Sequence, residues 1–226
     1  MEGNRKAGFA LIAAGVLVIV GQLLAVSGWA AGDYLLRDHA IGDLGMSSCT
    51  MITEDTHIRY VCSGGYAWFR LGTGLGAAAL LLAVLLWRRL PAWLLLGTAA
   101  AIATAGVIIP DPRANAHVIA LTFVAAFTWI AMALVIAKTY RTRRPVSIIT
   151  AVLLLVSVIG VIIWLTVPAL SPGLFQRLGL DTLLLWLLYL GATLATGKRD
   201  VDKHQRRDEE QKLRDEAVRR AARELG

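Results

Sequence analysis

The chain has 226 residues, of which 57% are hydrophobic and 17% are charged, and its formal net charge at pH 7 is +7. Soluble domains average roughly 45–50% apolar and about 25% charged residues, so the composition excludes an ordinary water-soluble domain. The basic charge does not indicate nucleic acid, because the cations cluster beside apolar runs, as they do in membrane proteins. We therefore expect membrane lipids as partners and no nucleic acid.

Six apolar runs follow one another, and most match the ~20 residues that a membrane helix needs. They predict an all-α membrane protein with a six-transmembrane-helix bundle over residues 1–196, with spans at about 8–31, 67–87, 92–109, 114–137, 146–167 and 178–196. The first run exceeds a signal-peptide core of about 7–15 residues, so we expect an uncleaved helix, with cleavage near Ser27 or Ala31 as the alternative. The sixth span begins near Leu178 and carries Asp181 into the interface.

Basic residues mark one side of these six spans. They lie at Arg5 and Lys6, at Arg88 and Arg89, from Lys138 to Arg144, and at Lys198 and Arg199. By the positive-inside rule, both termini are cytoplasmic and residues 33–66 form an extracytoplasmic loop. We expect a multi-pass plasma-membrane protein, and the Ala-, Leu- and Arg-rich composition suggests a bacterial source.

Both cysteines of the chain, Cys49 and Cys62, fall in that loop. Disulfides persist in oxidising compartments and are rare in the cytosol, so the position of the two cysteines agrees with the orientation that the charges predict. We predict a Cys49–Cys62 disulfide. Two free thiols are the alternative, since spacing alone does not fix the bond geometry.

The character of the chain changes at residues 197–226, where Lys and Arg alternate with Asp and Glu and aromatic residues are absent. This pattern predicts an exposed, charged cytoplasmic C-terminal helix with ion pairs four residues apart, or a partly disordered tail. The alternative is a helix that docks a protein partner through residues 198–226.

Several ionisable residues lie at the predicted outer ends of the spans. Asp111 precedes Pro112 and fits a helix N-cap. Four residues separate Arg113 from His117, and four separate His39 from Asp43, so each pair shares a face of any helical turn. We group these residues as a candidate outward polar site, to which Arg70 belongs because a cation one turn inside a span requires a partner or the interface. The candidate site comprises His39, Asp43, Arg70, Asp111, Arg113 and His117.

A metal site is a more specific hypothesis for four of these residues. The side chains of His39, Asp43, Asp111 and His117 offer nitrogen and oxygen ligands that suit zinc. Their spacings do not require a metal, and the chain has no His-Glu-x-x-His helix. We therefore predict no cofactor, with zinc as the alternative.

Three short motifs resemble the uncharacterised membrane family known as DUF998. They are Asp43-Leu44-Gly45, Phe69-Arg70-Leu71-Gly72, and Pro110-Asp111 followed by His117. The resemblance covers roughly residues 8–196, and the chain departs from the family pattern at Arg70 and in its cysteine-bearing loop. It implies a membrane location and a helical bundle, and it implies no activity.

Three functional hypotheses follow. The favoured one is a protein without catalytic activity whose outward polar site binds a lipid or small amphiphile, or which supports a membrane complex. The alternative is an extracytoplasmic metal-dependent hydrolase that acts on a lipid head group. The third, a small-molecule transporter, is disfavoured because such proteins usually carry charges near the middle of the membrane.

Overall fold

A computed structural model describes residues 2–30, 32–54, 57–87, 90–108, 115–167 and 170–196. Within these ranges, six helices are long and apolar enough to cross a membrane, which confirms the predicted number of candidate spans. They are α1 (Glu2–Ser27), α2 (Tyr66–Trp87), α3 (Leu90–Ala103, extended by a π-helical turn over Thr104–Ile108), α4 (Asn115–Thr139), α5 (Arg144–Thr166) and α6 (Pro172–Thr196).

Helix α6 begins at Pro172, earlier than the predicted start near Leu178. Pro is well suited to the first helical position because its N–H would be unsatisfied there anyway. The predicted start is later because Arg177 looks too polar for a span, and Asp181 was expected only at the interface. In the structure these two side chains pair with each other at 3.4 Å, which offsets their charges.

A two-stranded antiparallel hairpin interrupts the all-α pattern that the sequence predicts. Strand β1 (Thr50–Glu54) pairs with β2 (His57–Val61), and Ile52 faces Arg59 in the register. Ile52, Arg59 and Val61 are buried on one face, whereas the opposite face is exposed. In β2 the apolar Ile58 and Tyr60 alternate with His57 and Arg59, a period of two that indicates a strand. The structure exposes Ile58 and Tyr60 and buries Arg59, which is the reverse of what apolar burial alone predicts.

The disulfide between Cys49 and Cys62 closes the base of this hairpin. The prediction of this bond is confirmed. Because the two cysteines stand immediately outside the paired strands, the bond fixes the hairpin at the end nearest the helices.

Small residues allow the helices to approach closely. A Cβ on Gly21 of α1 would lie 2.8 Å from the Cα of Gly72 in α2, and a Cβ on Gly8 would lie 2.6 Å from the carbonyl oxygen of Gly191 in α6. Helix association in lipid depends on such packing, since apolar side chains gain little by leaving lipid for protein. Helix α1 therefore packs directly on both α2 and α6.

A short 3-10 turn, Ile41–Gly45, packs onto the end of the bundle that carries residues 28–65, which we call the loop end. All five residues of this turn are buried. The backbone N–H of Ile41 donates to Oε1 of Gln176 in α6 at 2.6 Å. Nearby, the N–H of Gly173 donates to the carbonyl of Arg37 at 3.1 Å. We call Ile41–Gly45 the loop-end turn.

Candidate functional site

The loop-end turn is fastened to the hairpin by an ion pair. Asp43 is fully buried, and its Oδ2 accepts hydrogen bonds from the N–H of Ala40 and from Nε of Arg59, both at 2.8 Å. Nη2 of Arg59 donates to the other carboxylate oxygen at 3.1 Å, so the pairing is bidentate. Burial raises the pKa of Asp43 above its ordinary value, although the Arg59 guanidinium and the Ala40 N–H both oppose this rise.

Arg70 fastens the other end of the turn. Its guanidinium donates to the carbonyl of Gly45 through Nη2 at 3.1 Å and Nε at 3.3 Å. The guanidinium also lies over the Tyr66 ring, 5.1 Å from the ring centroid, within the range of a cation–π interaction. Arg70 thus satisfies a carbonyl at the end of the turn.

His39 precedes the turn and lies in an aromatic cluster. Its Nδ1 is 3.2 Å from both the N–H and the carbonyl oxygen of Leu35. The imidazole packs edge-on against Trp29, with 4.9 Å between ring centroids, and stacks on Tyr34 at 5.2 Å. These contacts position the chain as it enters the loop-end turn.

A cavity of about 70 Å³ lies beneath the turn, and Ile41 and Gly42 form part of its wall. The other lining residues come from α1, α2, α4, α6 and the α3 region, and most are apolar. The π-helical turn contributes Ala105 and Gly106, and such turns occur frequently at functional sites. The polar lining residues are Gln22, Thr73, Thr98, His117, Thr128 and Asp181.

A polar network joins the cavity to the loop. Nε2 of Gln22 donates to Oδ1 of Asp181 at 3.1 Å, and Nη1 of Arg177 donates to Oε1 of Gln22 at 3.0 Å. The Arg177 guanidinium also donates to the Tyr34 hydroxyl and lies 5.5 Å from the centroid of that ring. Asp181 is therefore fixed by an amide and a cation while it borders the cavity.

Four of the sequence-predicted site residues lie in the described part of the chain, Asp43 within the loop-end turn and the other three beside the turn or the cavity. Asp43 pairs with Arg59, Arg70 binds the Gly45 carbonyl, and His39 contacts Leu35. His117 is buried and lines the cavity together with Ile41 and Gly42. The remaining two candidates, Asp111 and Arg113, lie outside the described residues.

Sequence reasoning did not assign Gln22, Arg59 or Arg177 to the site. The spacing of Arg177 and Asp181, four residues apart, was the available signal for a helical ion pair. Arg59 gave no such signal, because its alternation with Ile58 and Tyr60 predicts an outward arginine, whereas the structure buries it. Gln22 gave no signal, since a single amide in an apolar run does not reveal its partner.

Among the residues that the structure describes, no group of three or more His, Cys, Asp or Glu side chains is placed to hold a metal ion. The zinc hypothesis includes Asp111, which lies outside those ranges, so it stays a prediction. Comparison with protein-family models, with curated proteins and with solved structures finds no match to this chain. The resemblance to DUF998 stays a prediction as well.

Over the described ranges, the fold and the cavity together define a class: a bundle of six apolar helices, each able by length and composition to cross a membrane, with a partly polar cavity at its loop end.

Proposed function

We propose that this chain is a multi-pass protein of a bacterial plasma membrane and that the cavity beneath the loop-end turn binds a lipid or small amphiphile. The observation that carries this proposal is the lining of the cavity, which is apolar over most of its surface and has a few polar side chains. Ligand sites in proteins typically combine such a wall with a small number of polar groups that orient the ligand.

The proposed orientation places both termini in the cytoplasm and the loop end outside. It is supported by the cations at residues 5–6, 88–89, 138–144 and 198–199, which fall on one side of the six helices. The Cys49–Cys62 disulfide lies at the opposite end, which agrees with an outer location because disulfides persist in oxidising compartments. The orientation can be tested in a background that lacks Cys49 and Cys62. Single cysteines are introduced there, one at a time, at the loop end or at the opposite end of the bundle, and are labelled with an impermeant maleimide in intact cells.

Binding in the cavity is supported by its size, a volume of about 70 Å³. About 10–15 Å³ of such volume holds one water, so the cavity has room for a polar head and several carbon atoms.

Filling the cavity tests the proposal. Ala105 is buried in the cavity wall, whereas Ala100 is exposed on the same helical region. Ala105→Leu fills part of the cavity, and Ala100→Leu adds the same atoms on the outer surface. Wild type and both variants are purified in native-membrane nanodiscs, and the lipids and small amphiphiles that co-purify are quantified by mass spectrometry. We expect a molecule that is retained by wild type and Ala100→Leu and is depleted in Ala105→Leu. Equal retention by all three proteins would count against the proposal.

A further inference from the structure

The threonine hydroxyls that line the cavity have already used their hydrogens. Oγ1 of Thr73 donates to the carbonyl of Phe69 at 2.9 Å, and Oγ1 of Thr128 donates to the carbonyl of Val124 at 2.7 Å. A hydroxyl has one hydrogen and two lone pairs. Both side chains can therefore act toward a ligand only as acceptors.

The hydrogen of the Thr98 hydroxyl can be assigned by elimination. Its Oγ1 lies 3.2 Å from Oγ1 of Thr128, close enough for a hydrogen bond in which either oxygen is the donor. Because the Thr128 hydrogen is engaged with the Val124 carbonyl, Thr98 is the donor in this pair. Thr98 thus also retains only acceptor capacity.

The charged part of the lining has the same character. The Asp181 carboxylate is an acceptor with about four lone-pair positions, and it receives hydrogen bonds from Gln22 and Arg177. About a third of its side chain, 32%, stays exposed. The Gln22 carboxamide is engaged through its oxygen and one of its two N–H groups, so one N–H donor remains beside the acceptors of Asp181 and the threonines. The lining therefore offers more acceptors than donors.

The charges of Asp181 and Arg177 also restrict the charge of a ligand head group. Arg177 offsets the charge of Asp181 but is absent from the cavity lining, so an anionic head would meet a carboxylate there. A cationic head would lose its hydration beside a carboxylate that Arg177 already neutralises, and burying a charge without its own counter-ion is costly. His117 donates or accepts according to its tautomer, so it is compatible with any of these heads.

We infer that the cavity selects a neutral, hydroxyl-bearing amphiphile over anionic and cationic amphiphiles of the same length. This inference rests on the proposed function, because it specifies the ligand class of the same cavity. The hydroxyl donates to the acceptors that Asp181, Thr73 and Thr98 present, and the alkyl part lies against the apolar wall.

Photolabelling of the full chain in lipid nanodiscs tests the inference. Three short alkyl diazirines of one chain length, ending in a hydroxyl, a carboxylate or an ammonium group, are irradiated with the protein. Labelled residues are then identified by mass spectrometry. Labelling of Leu121 and Leu184, which line the cavity, is divided by labelling of exposed Leu185 to correct for membrane partition. We expect this ratio to be several-fold higher for the hydroxyl probe than for the other two.

Two variants sharpen the test. Thr98→Val removes an acceptor and is expected to lower the hydroxyl-probe ratio several-fold, whereas Thr122→Val, at an exposed threonine of α4, leaves the ratio unchanged. Asp181→Asn replaces a carboxylate oxygen with a donor and is expected to raise the carboxylate-probe ratio, a gain that misfolding does not produce.

The outcomes separate the two proposals. Equal or stronger cavity labelling by the carboxylate or ammonium probe overturns the inferred ligand class and leaves binding in the cavity intact. Absence of cavity labelling by all three probes overturns the proposed function, and the inference with it.

Discussion

The Arg59 guanidinium and the Asp43 carboxylate form a buried, bidentate ion pair between the hairpin and the loop-end turn, with Nε–Oδ2 and Nη2–Oδ1 distances of 2.8 and 3.1 Å. The arginine side chain is 5% exposed and the aspartate side chain 0%. Taking two charges out of water is costly, and a buried pair tolerates the loss of one partner poorly because the other charge is left uncompensated. The hairpin therefore holds the loop-end turn, which forms part of the cavity wall, through charge as well as through packing.

Replacing Arg59 with Met is expected to lower the free energy of unfolding by about 3–5 kcal/mol, because the Asp43 carboxylate loses its cation in a buried position. The double variant Arg59→Met/Asp43→Leu removes both charges and is expected to lose less. Chemical denaturation in mixed micelles measures the difference.

Arg37→Gln is the matched control for the Arg59 variant. Arg37 pairs with Asp38 at 3.5 Å, but its side chain is 76% exposed. Exposed pairs contribute little, so we expect a change within about 0.5 kcal/mol. A double variant as unstable as Arg59→Met would contradict the role assigned to the ion pair.

Reducing the Cys49–Cys62 disulfide is expected to lower stability by about 3 kcal/mol in the chain-entropy model, since the bond closes a segment with a sequence separation of 13. The melting temperature with and without reductant measures this effect. Cys49→Ala/Cys62→Ala is expected to melt at the lower temperature and to be insensitive to reductant. Identical melting of the wild type in both conditions would refute the prediction.

The Tyr34 hydroxyl is expected to ionise at a higher pH than an ordinary tyrosine. Burial raises its pKa from 10.0 to about 12, and the Arg177 cation partly opposes the rise. The phenolate absorbance of Tyr34, isolated by subtracting the Tyr34→Phe spectrum, should rise with a midpoint near pH 12. Arg177→Gln, which removes the opposing cation, should move the midpoint higher still. A midpoint near pH 10 would show that the phenol is solvated.

The sign of the associated stability change follows from linkage. The unfolded phenol ionises near pH 10, whereas the folded one keeps its proton to about pH 12. The contribution of Tyr34 is therefore fully present below pH 10, and it is lost as the pH rises through 12.

Gly160→Ala is expected to destabilise the contact between α5 and α6. A Cβ at Gly160 would lie 2.5 Å from the backbone nitrogen of Gly179, and relieving such a clash costs about 1–3 kcal/mol. The matched control is Gly74→Ala, whose Cβ would meet only the Val107 Cγ2 at 3.4 Å. There we expect no loss and a gain of up to about 1 kcal/mol from helix propensity. Equal melting temperatures for the two variants would contradict this distinction.

The sequence predicts the helices well because lipid imposes a simple rule: each span needs an apolar run of sufficient length. The disulfide was also predictable, because only two cysteines exist and both fall in one loop. The hairpin is harder to predict. The alternation of Ile58 and Tyr60 with polar residues indicates a strand, but the structure buries Arg59 and exposes the two apolar residues, because Arg59 pairs with Asp43.

The cavity could not be predicted in the same way. Its lining brings together Gln22 and Asp181, which are 159 residues apart and hydrogen-bonded, and no local pattern links them. The π-helical turn depends on tertiary packing as well, because Gly106 lies directly against Thr73. Such relationships arise only when the helices have assembled.

The hydrogen bonds that hold the loop-end turn to the hairpin and to α6 differ in strength. On the hairpin side, the Ala40 N–H and Arg59 converge on a buried carboxylate. On the α6 side, the Ile41 N–H meets the neutral amide of Gln176, and hydrogen bonds to charged groups contribute about 1.5–3 kcal/mol against roughly 1 kcal/mol for neutral ones. We expect the Ile41 amide to exchange its hydrogen faster than the adjacent Ala40 amide, and slower exchange at Ile41 would refute the ranking. Local opening of the turn is thus expected to begin at the hydrogen bond between Ile41 and Gln176, before the Asp43 carboxylate loses its partners.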